Sequence, residues 1–280
     1  MIEKIFIPTL GRVGKQKTYD NLPDKWKERT FLVVQDQEYD EHDKKINRVR
    51  LPKEISGEFG RISNARAYIS TNLGDGCRYG VFDDDLDFVY TDKYWSGGKN
   101  RPMVEKEYDE LFVETIPSWM DEGYWHIGQE STVNIPREKD YSDNCRIAAV
   151  VYYDGRNLNT SKVDWEEFYN LDGAEDFDCN LQLLRSGFPN RVSARYRIST
   201  GTIQSEGGCS LNRTVETHNK AMKMLEQRHE RFVKLYEKNN KMDVGDIIKK
   251  LGAKIRWKEA YKSSAVSTLE DFFEEDAGLE

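Results

Sequence analysis

Residues 30–35, TFLVVQ, are apolar with almost no alternation. A strand with one wet face alternates apolar and polar positions, so an unbroken run fits a strand covered on both faces. Helices supply that cover in a layered α/β fold, and the expected architecture is a mixed, mostly parallel sheet flanked by helices. The remaining patterns agree. Ile2, Ile5, Phe6 and Ile7 make a short strand that stops at Pro8. In 61–73, Ile62, Ala65, Ile69 and Leu73 recur at helical spacing. Residues 46–51, 79–82, 86–90, 123–128, 147–153 and 192–199 read as strands, and 104–120 and 176–186 as helices. The stripe Val215, Met222, Leu225, Phe232 and Tyr236 predicts one long helix over 214–239. A loop at 92–103 carries Gly97-Gly98-Lys99, and the acidic end at 268–280 is expected to be a mobile tail.

Composition narrows the function classes. A chain of 280 residues is long enough for one large α/β domain, or for one domain plus a small appendage. No apolar run approaches the roughly 18 residues of a membrane span, and MIEKIFIPTLGR lacks a secretory pattern. Cys77, Cys145, Cys179 and Cys209 are scattered without a C-x-x-C spacing, so reduced thiols, no zinc site and a cytoplasmic location are expected. The net charge of −8 is the opposite of a protein that coats nucleic acid, so a nucleic-acid partner would need a locally basic surface.

Two acidic clusters fall at element ends, where α/β sheets bind ligands. Asp83-Asp84-Asp85 follows the strand Tyr79–Phe82. Three adjacent carboxylates repel, and a hard divalent cation such as Mn²⁺ or Mg²⁺ relieves that repulsion; a solvated acidic turn is the plainer alternative. Glu175-Asp176-Phe177-Asp178 opens a predicted helix. Acids there suit the helix dipole, and a carboxylate held there could equally serve as a general base toward a hydroxyl.

The ordered series IPTLGR, Asn64-Ala65-Arg66, VFDDDL and GAEDFDCNLQLLRSGF resembles the inverting glycosyltransferases of GT-A (Rossmann-like) fold, over about residues 1–200. More narrowly, IPTLGRVGKQKTYDNLP and GGCSLNRTVETHNKAM resemble the TET-associated glycosyltransferases of bacteriophages, which act on 5-hydroxymethylcytosine in DNA. The resemblance implies transfer from a nucleotide-sugar, expected to be a UDP-sugar, to a hydroxyl. It implies Asp83 and Asp85 as the metal-side acids, with Asp83 and Asp84 at the nucleotide-sugar, and Asp176 as catalytic base. Pro8, Thr9, Arg12, Gln35, Asp36, Arg61, Asn64 and Arg66 would touch the donor. A donor-binding half of about 1–92 and an acceptor-binding half of about 93–212 would precede a helical extension at 213–262 and a tail at 263–280.

Many such enzymes add a late metal ligand, and His218 is the candidate, although its place on the Val215 stripe fits a packed core histidine equally well. His42 and His229 read as structural. Trp95 suits either stacking on a ligand or an ordinary surface position. Gly207-Gly208 suits a diphosphate approach or a turn. Arg185, Arg191, Arg195 and Arg197, with Lys254, Arg256, Lys258 and Lys262, would bind phosphates if they share a face and otherwise only solubilise. Three rival readings remain: a glycan, protein or (least favoured) lipid acceptor, a metal-dependent nucleotidyltransferase, and a non-catalytic nucleotide-binding module.

Overall fold

The computed structural model describes residues 1–56, 62–92, 100–133, 139–158, 162–164, 171, 173–200, 214–238 and 249–264. Arg61, Trp95, the Gly97–Lys99 loop, Gly207-Gly208, Cys209 and the tail from 265 lie outside them, as do the stretches through which the expected divisions near 92 and 212 were drawn.

Strand β1 (Lys4–Thr9) lies between β2 (Thr30–Val34) and β4 (Arg78–Phe82), and β3 (Arg48–Arg50) sits outside β2, all four parallel. Beyond β4 the sheet changes character. Antiparallel β9 (Val150–Asp154) follows, then β7 (His126–Ser131), β10 (Asn190–Thr200), β5 (Leu86–Thr91) and β6 (Asn100–Pro102), with β8 (Tyr141–Asp143) also on β10. Only β7 and β10 run parallel there. The result is a mixed α/β sheet.

Alternate residues of the unbroken runs feed two cores. Ile5, Ile7, Leu32, Val34 and Phe82 point to one face, where Tyr108, Leu111, Phe112, Ile116 and Met120 cover them. Those five come from one continuous helical stretch, Glu105–Asp109 through a π-helical Glu110–Thr115 to Ile116–Asp121. Phe6, Val33, Tyr79 and Val81 point to the other face, against Ala65, Ile69, Cys179 and Leu183. Each such side chain contributes roughly 1.5–3 kcal/mol by leaving water. The covering helices here are the helix Ile62–Tyr68, continued by a π-helical Ile69–Leu73, and the helix Glu175–Arg185. Cys77, Cys145 and Cys179 are free thiols.

The expected helix over 214–239 is replaced by two elements. A helix, Val215–Arg228, is capped at its start by Thr214. The chain then turns at His229 into β11 (Val233–Glu237), which pairs antiparallel with β12 (Leu251–Ile255), and residues 257–264 are again helical. The extension therefore carries a β-ribbon besides its helices. Its core of Ala221, Met222, Leu225, Phe232, Val233 and Ala260 packs on Ala174, Leu181 and Leu184 at the helix Glu175–Arg185.

Candidate active site

The loop after β1 folds back over the triple aspartate. Gly11 and Gly14 hold φ of 65° and 69°, which lets the chain reverse tightly. Glu38 accepts the Gly11 amide at 2.8 Å, and Gln16 Nε2 donates to the Arg12 carbonyl at 2.8 Å. Arg12 is thereby aimed at the aspartates, with Nη1 2.7 Å from Asp84 Oδ1 and Nη2 3.1 Å from Asp85 Oδ2. Thr9 Oγ1 donates to the other Asp84 oxygen at 2.9 Å. Asp84 is thus a buried strut whose two oxygens are both used. Burial pushes its pKa up to about 7, and Arg12 and Thr9 oppose the rise. Thr18 staples the turn, donating to the Asp83 carbonyl at 2.5 Å and accepting the Leu86 amide at 2.9 Å.

Asp83 and Asp85 present outward from this turn, their side chains 34% and 26% exposed. Arg66, on the helix Ile62–Tyr68, donates to Asp83 Oδ1 at 2.6 Å. Among the described residues, Asp83 Oδ2 and Asp85 Oδ1 carry no hydrogen bond. Burial pushes the Asp83 pKa up while Arg66 pulls it down.

The second cluster reaches the same place. The helix Glu175–Arg185 begins with three acids in its first turn, where the unpaired amides favour them. Asp176 accepts its neighbour's amide, from Phe177, at 2.9 Å and lies 3.5 Å from Arg146 Nη2. Glu175 is buried, accepts the Gly173 amide at 2.8 Å, and is pushed up to about 7 by burial, against Arg66. Arg66 stands between the clusters. Burial works against its charge, yet Asp83, Glu175 and Asp176 together raise its pKa. A cavity of about 30 Å³ joins Arg66, Glu175 and Asp176 to Ser70, His126 and Asn180, with walls from Val81, Ile147, Ala149 and Cys179.

Ala149 holds a left-handed φ of 62°, a costly conformation for a residue with a Cβ, and its carbonyl accepts the Asp83 amide at 2.8 Å. His126 on β7 is buried beside Asn180 Oδ1, 3.1 Å away; burial lowers its pKa to about 4, so the ring is neutral near pH 7. Asn190 Nδ2 donates to the same Asn180 oxygen at 2.7 Å. That oxygen accepts from both sides, so His126 donates from Nε2 and its Nδ1 is a bare acceptor. Beside Asp176, the Arg146 guanidinium lies 4.4 Å from the Phe177 ring centre, and Trp257 meets Phe177 at 5.9 Å.

The other expected residues occupy varied places. Gln35 is buried and held by Ser56 Oγ at 2.7 Å, and Asp36 pairs with Arg50 at 3.1 Å, both just beyond β2. Pro8 sits within β1, registered against Val33. Asn64 donates to the Ile55 carbonyl at 2.6 Å and so ties its helix to the short helix Lys53–Ser56. Asp178 points away from the cleft to His229 Nε2 at 2.8 Å and Arg228 Nε at 3.1 Å, which gives His229 its structural role. His218 packs against the ribbon with Nε2 2.9 Å from the Leu251 carbonyl. Among the described residues no three His, Cys, Asp or Glu groups form a metal cage, and no helix is long and apolar enough to cross a membrane.

Sequence reasoning passed over His126, Arg146 and Asn180. His126 and Arg146 sit on or beside predicted strands without a local motif, and Asn180 is one turn past the acids that drew attention.

The family model for the TET-associated glycosyltransferases matches residues 3–208. The chain is 24% identical over 234 residues to a protein of Enterobacteria phage T2 named beta-glucosyl-HMC-alpha-glucosyl-transferase, covering 78% of each chain. It matches a protein of the same name from Enterobacteria phage T6 to the same extent.

Proposed function

This chain belongs to the TET-associated glycosyltransferases, and on that premise we propose that it transfers a sugar from a nucleotide-sugar to a hydroxyl carried by 5-hydroxymethylcytosine in DNA. The acceptor hydroxyl is that of the hydroxymethyl group or of a sugar already attached to it, a choice supported by the names of the two phage relatives. Family membership leaves the nucleotidyltransferase and the non-catalytic module without support.

The observation that carries the mechanism is Arg66 between Asp83 on one side and Glu175 and Asp176 on the other. One cleft then serves both substrates. The donor, a UDP-sugar in this reading, lies along Thr9, Arg12, Gln35, Asp36 and Asp83. The enclosed cavity has room for a water or one hydroxyl, so the sugar ring belongs at its mouth. Asp176, at the helix start, takes the proton of the incoming hydroxyl as it attacks the anomeric carbon, the diphosphate leaves from the opposite face, and the configuration inverts.

The residues fit a divalent cation. Asp83 and Asp85 each keep an oxygen clear of hydrogen bonds among the described residues, and Mg²⁺ or Mn²⁺ is commonly held by one or two carboxylates plus substrate phosphates. Asp84 does not fit, because Arg12 and Thr9 use both its oxygens. His218, with its Nε2 on the Leu251 carbonyl, is left out of the proposed set. A cation held there would offset charge on the departing diphosphate.

The test is transfer from several UDP-sugars to hydroxymethylated, glucosyl-hydroxymethylated and unmodified DNA, read by mass spectrometry with Mn²⁺ or with a chelator. A sugar mass on modified DNA alone is expected. Asp176→Asn should lower transfer by at least about 100-fold, the usual scale for losing a general base, with donor affinity retained. Wild-type transfer only to simple glycans would overturn the acceptor, and an active Asp176→Asn protein would overturn the base.

A further inference from the structure

The chain carries a net charge of −8, yet its C-terminal ribbon turns a basic face outward. Along β11 and β12 the residues alternate. Val233, Leu235, Ala253 and Ile255 face the C-terminal core, while Lys234, Tyr236 and Lys254 face away and are exposed. The register sets Lys234 directly opposite Lys254 and Tyr236 opposite Gly252. One step further, Lys238 continues the same exposed face, its amide donating to the Lys250 carbonyl at 2.8 Å. Like charges directly opposed across a ribbon are destabilising. Among the described ribbon residues the one acid, Glu237, lies on the other face, paired with Lys249 at 2.6 Å.

Gly252 shapes this face. A Cβ there would come within 2.7 Å of the Tyr236 ring and 2.6 Å of Lys238 Cε. The bare glycine therefore lets both side chains lie flat over the strand. The Lys254 ammonium sits 5.8 Å from the Tyr236 ring centre. The face thus carries one exposed aromatic ring, Tyr236, with Lys238 and Lys254 beside it.

We propose that this ribbon face docks the phosphate backbone of duplex DNA and so holds the acceptor against the cleft. The inference rests on the reading that the acceptor base lies in DNA. A polyanion removes the repulsion between Lys234 and Lys254, and lysines spaced along a ribbon suit successive phosphates. The ribbon is also tied to the reaction centre. β12 leads directly to Trp257, which packs on Phe177, the neighbour of Asp176. Of the basic residues noted in the sequence, Lys254 belongs to this face, whereas Arg256 is paired with Glu259.

The test is a fluorescence-anisotropy titration of a labelled, unmodified duplex over a salt series. It compares wild type, the triple variant Lys234→Gln/Lys238→Gln/Lys254→Gln, and the control Lys53→Gln/Lys106→Gln/Lys139→Gln. The ribbon variant should lose at least about tenfold in affinity at low salt, and its log–log salt slope should fall by roughly 2–3, near one per lost phosphate contact. The control should keep the wild-type slope, and all three should transfer sugar to the free hydroxymethylated nucleoside at the same rate. Unchanged binding by the ribbon variant, an equal loss in the control, or no duplex binding by wild type would each overturn the ribbon. A wild type that binds duplex through these lysines yet glycosylates no modified DNA would overturn the acceptor reading alone.

Discussion

At residue scale, Arg66 neutralises acids delivered by two distant segments of the chain, Asp83 on one side and Glu175 and Asp176 on the other. Removing it would strand Asp83, Glu175 and Asp176 in one partly buried cleft. Arg66→Met is expected to destabilise the protein by up to about 3 kcal/mol, the lower part of the range for breaking a buried pair because Asp83 is a third exposed. Urea unfolding measures that loss, and isothermal titration with the donor should show weaker binding. Glu175 gives a pH signature. Its folded pKa is pushed up to about 7 by burial, against an ordinary value of 4.5. The folded state therefore holds the proton more tightly. This contribution to stability is complete below about pH 4.5 and is lost as pH rises through about 7. Glu175→Gln should flatten the decline across that window and leave the variant more stable than wild type at pH 8, as urea midpoints at several pH values will test.

At the scale of elements, what was legible followed from how strongly each pattern excluded its rivals. The unbroken runs at β2 and β4 and the helix Glu175–Arg185 stand where the sequence predicts, because burial on both faces and an acid-capped start admit few other structures. The extension misled because Phe232 and Tyr236 prolong the helical spacing of Leu225, whereas Phe232 is buried ahead of β11 and Tyr236 stands exposed on its outward face. Only the alternation of Val233-Lys234-Leu235-Tyr236-Glu237 distinguished strand from helix. The cleft was half legible for a similar reason. Acid clusters announce themselves locally, whereas His126 and Ser70 enter the site only through strand order and helix docking. Close packing between elements gives a further test. Gly155, just past β9, has its missing Cβ position 2.1 Å from the Gly74 carbonyl, and its amide donates to the Cys77 carbonyl at 2.9 Å. Backbone cannot yield as a side chain does. Gly155→Ala is expected to cost about 2 kcal/mol or more, read as a lowered Tm.

For the molecule as a whole, the C-terminal extension packs its apolar side directly on the helix Glu175–Arg185. It covers Leu181 and Leu184, and its His229 and Arg228 compensate the fully buried Asp178, two residues from the proposed base. A chain ending at residue 213 is expected to be insoluble or to lose cooperative unfolding, because it would expose that apolar surface and leave the Asp178 carboxylate without its charged partner Arg228, with only the neutral Gln182 donating to it. Expression yield and thermal melts check this directly.

The tether from the Ala149 carbonyl to the Asp83 amide bears on how such enzymes can be recombined. It crosses the seam where parallel strands give way to antiparallel ones, so the segment 144–149 belongs mechanically to the aspartate turn although it lies some sixty residues later. A chimera that takes its first ninety residues from one relative and the remainder from another will misalign the cleft. Grafting 144–149 along with the first portion should restore it.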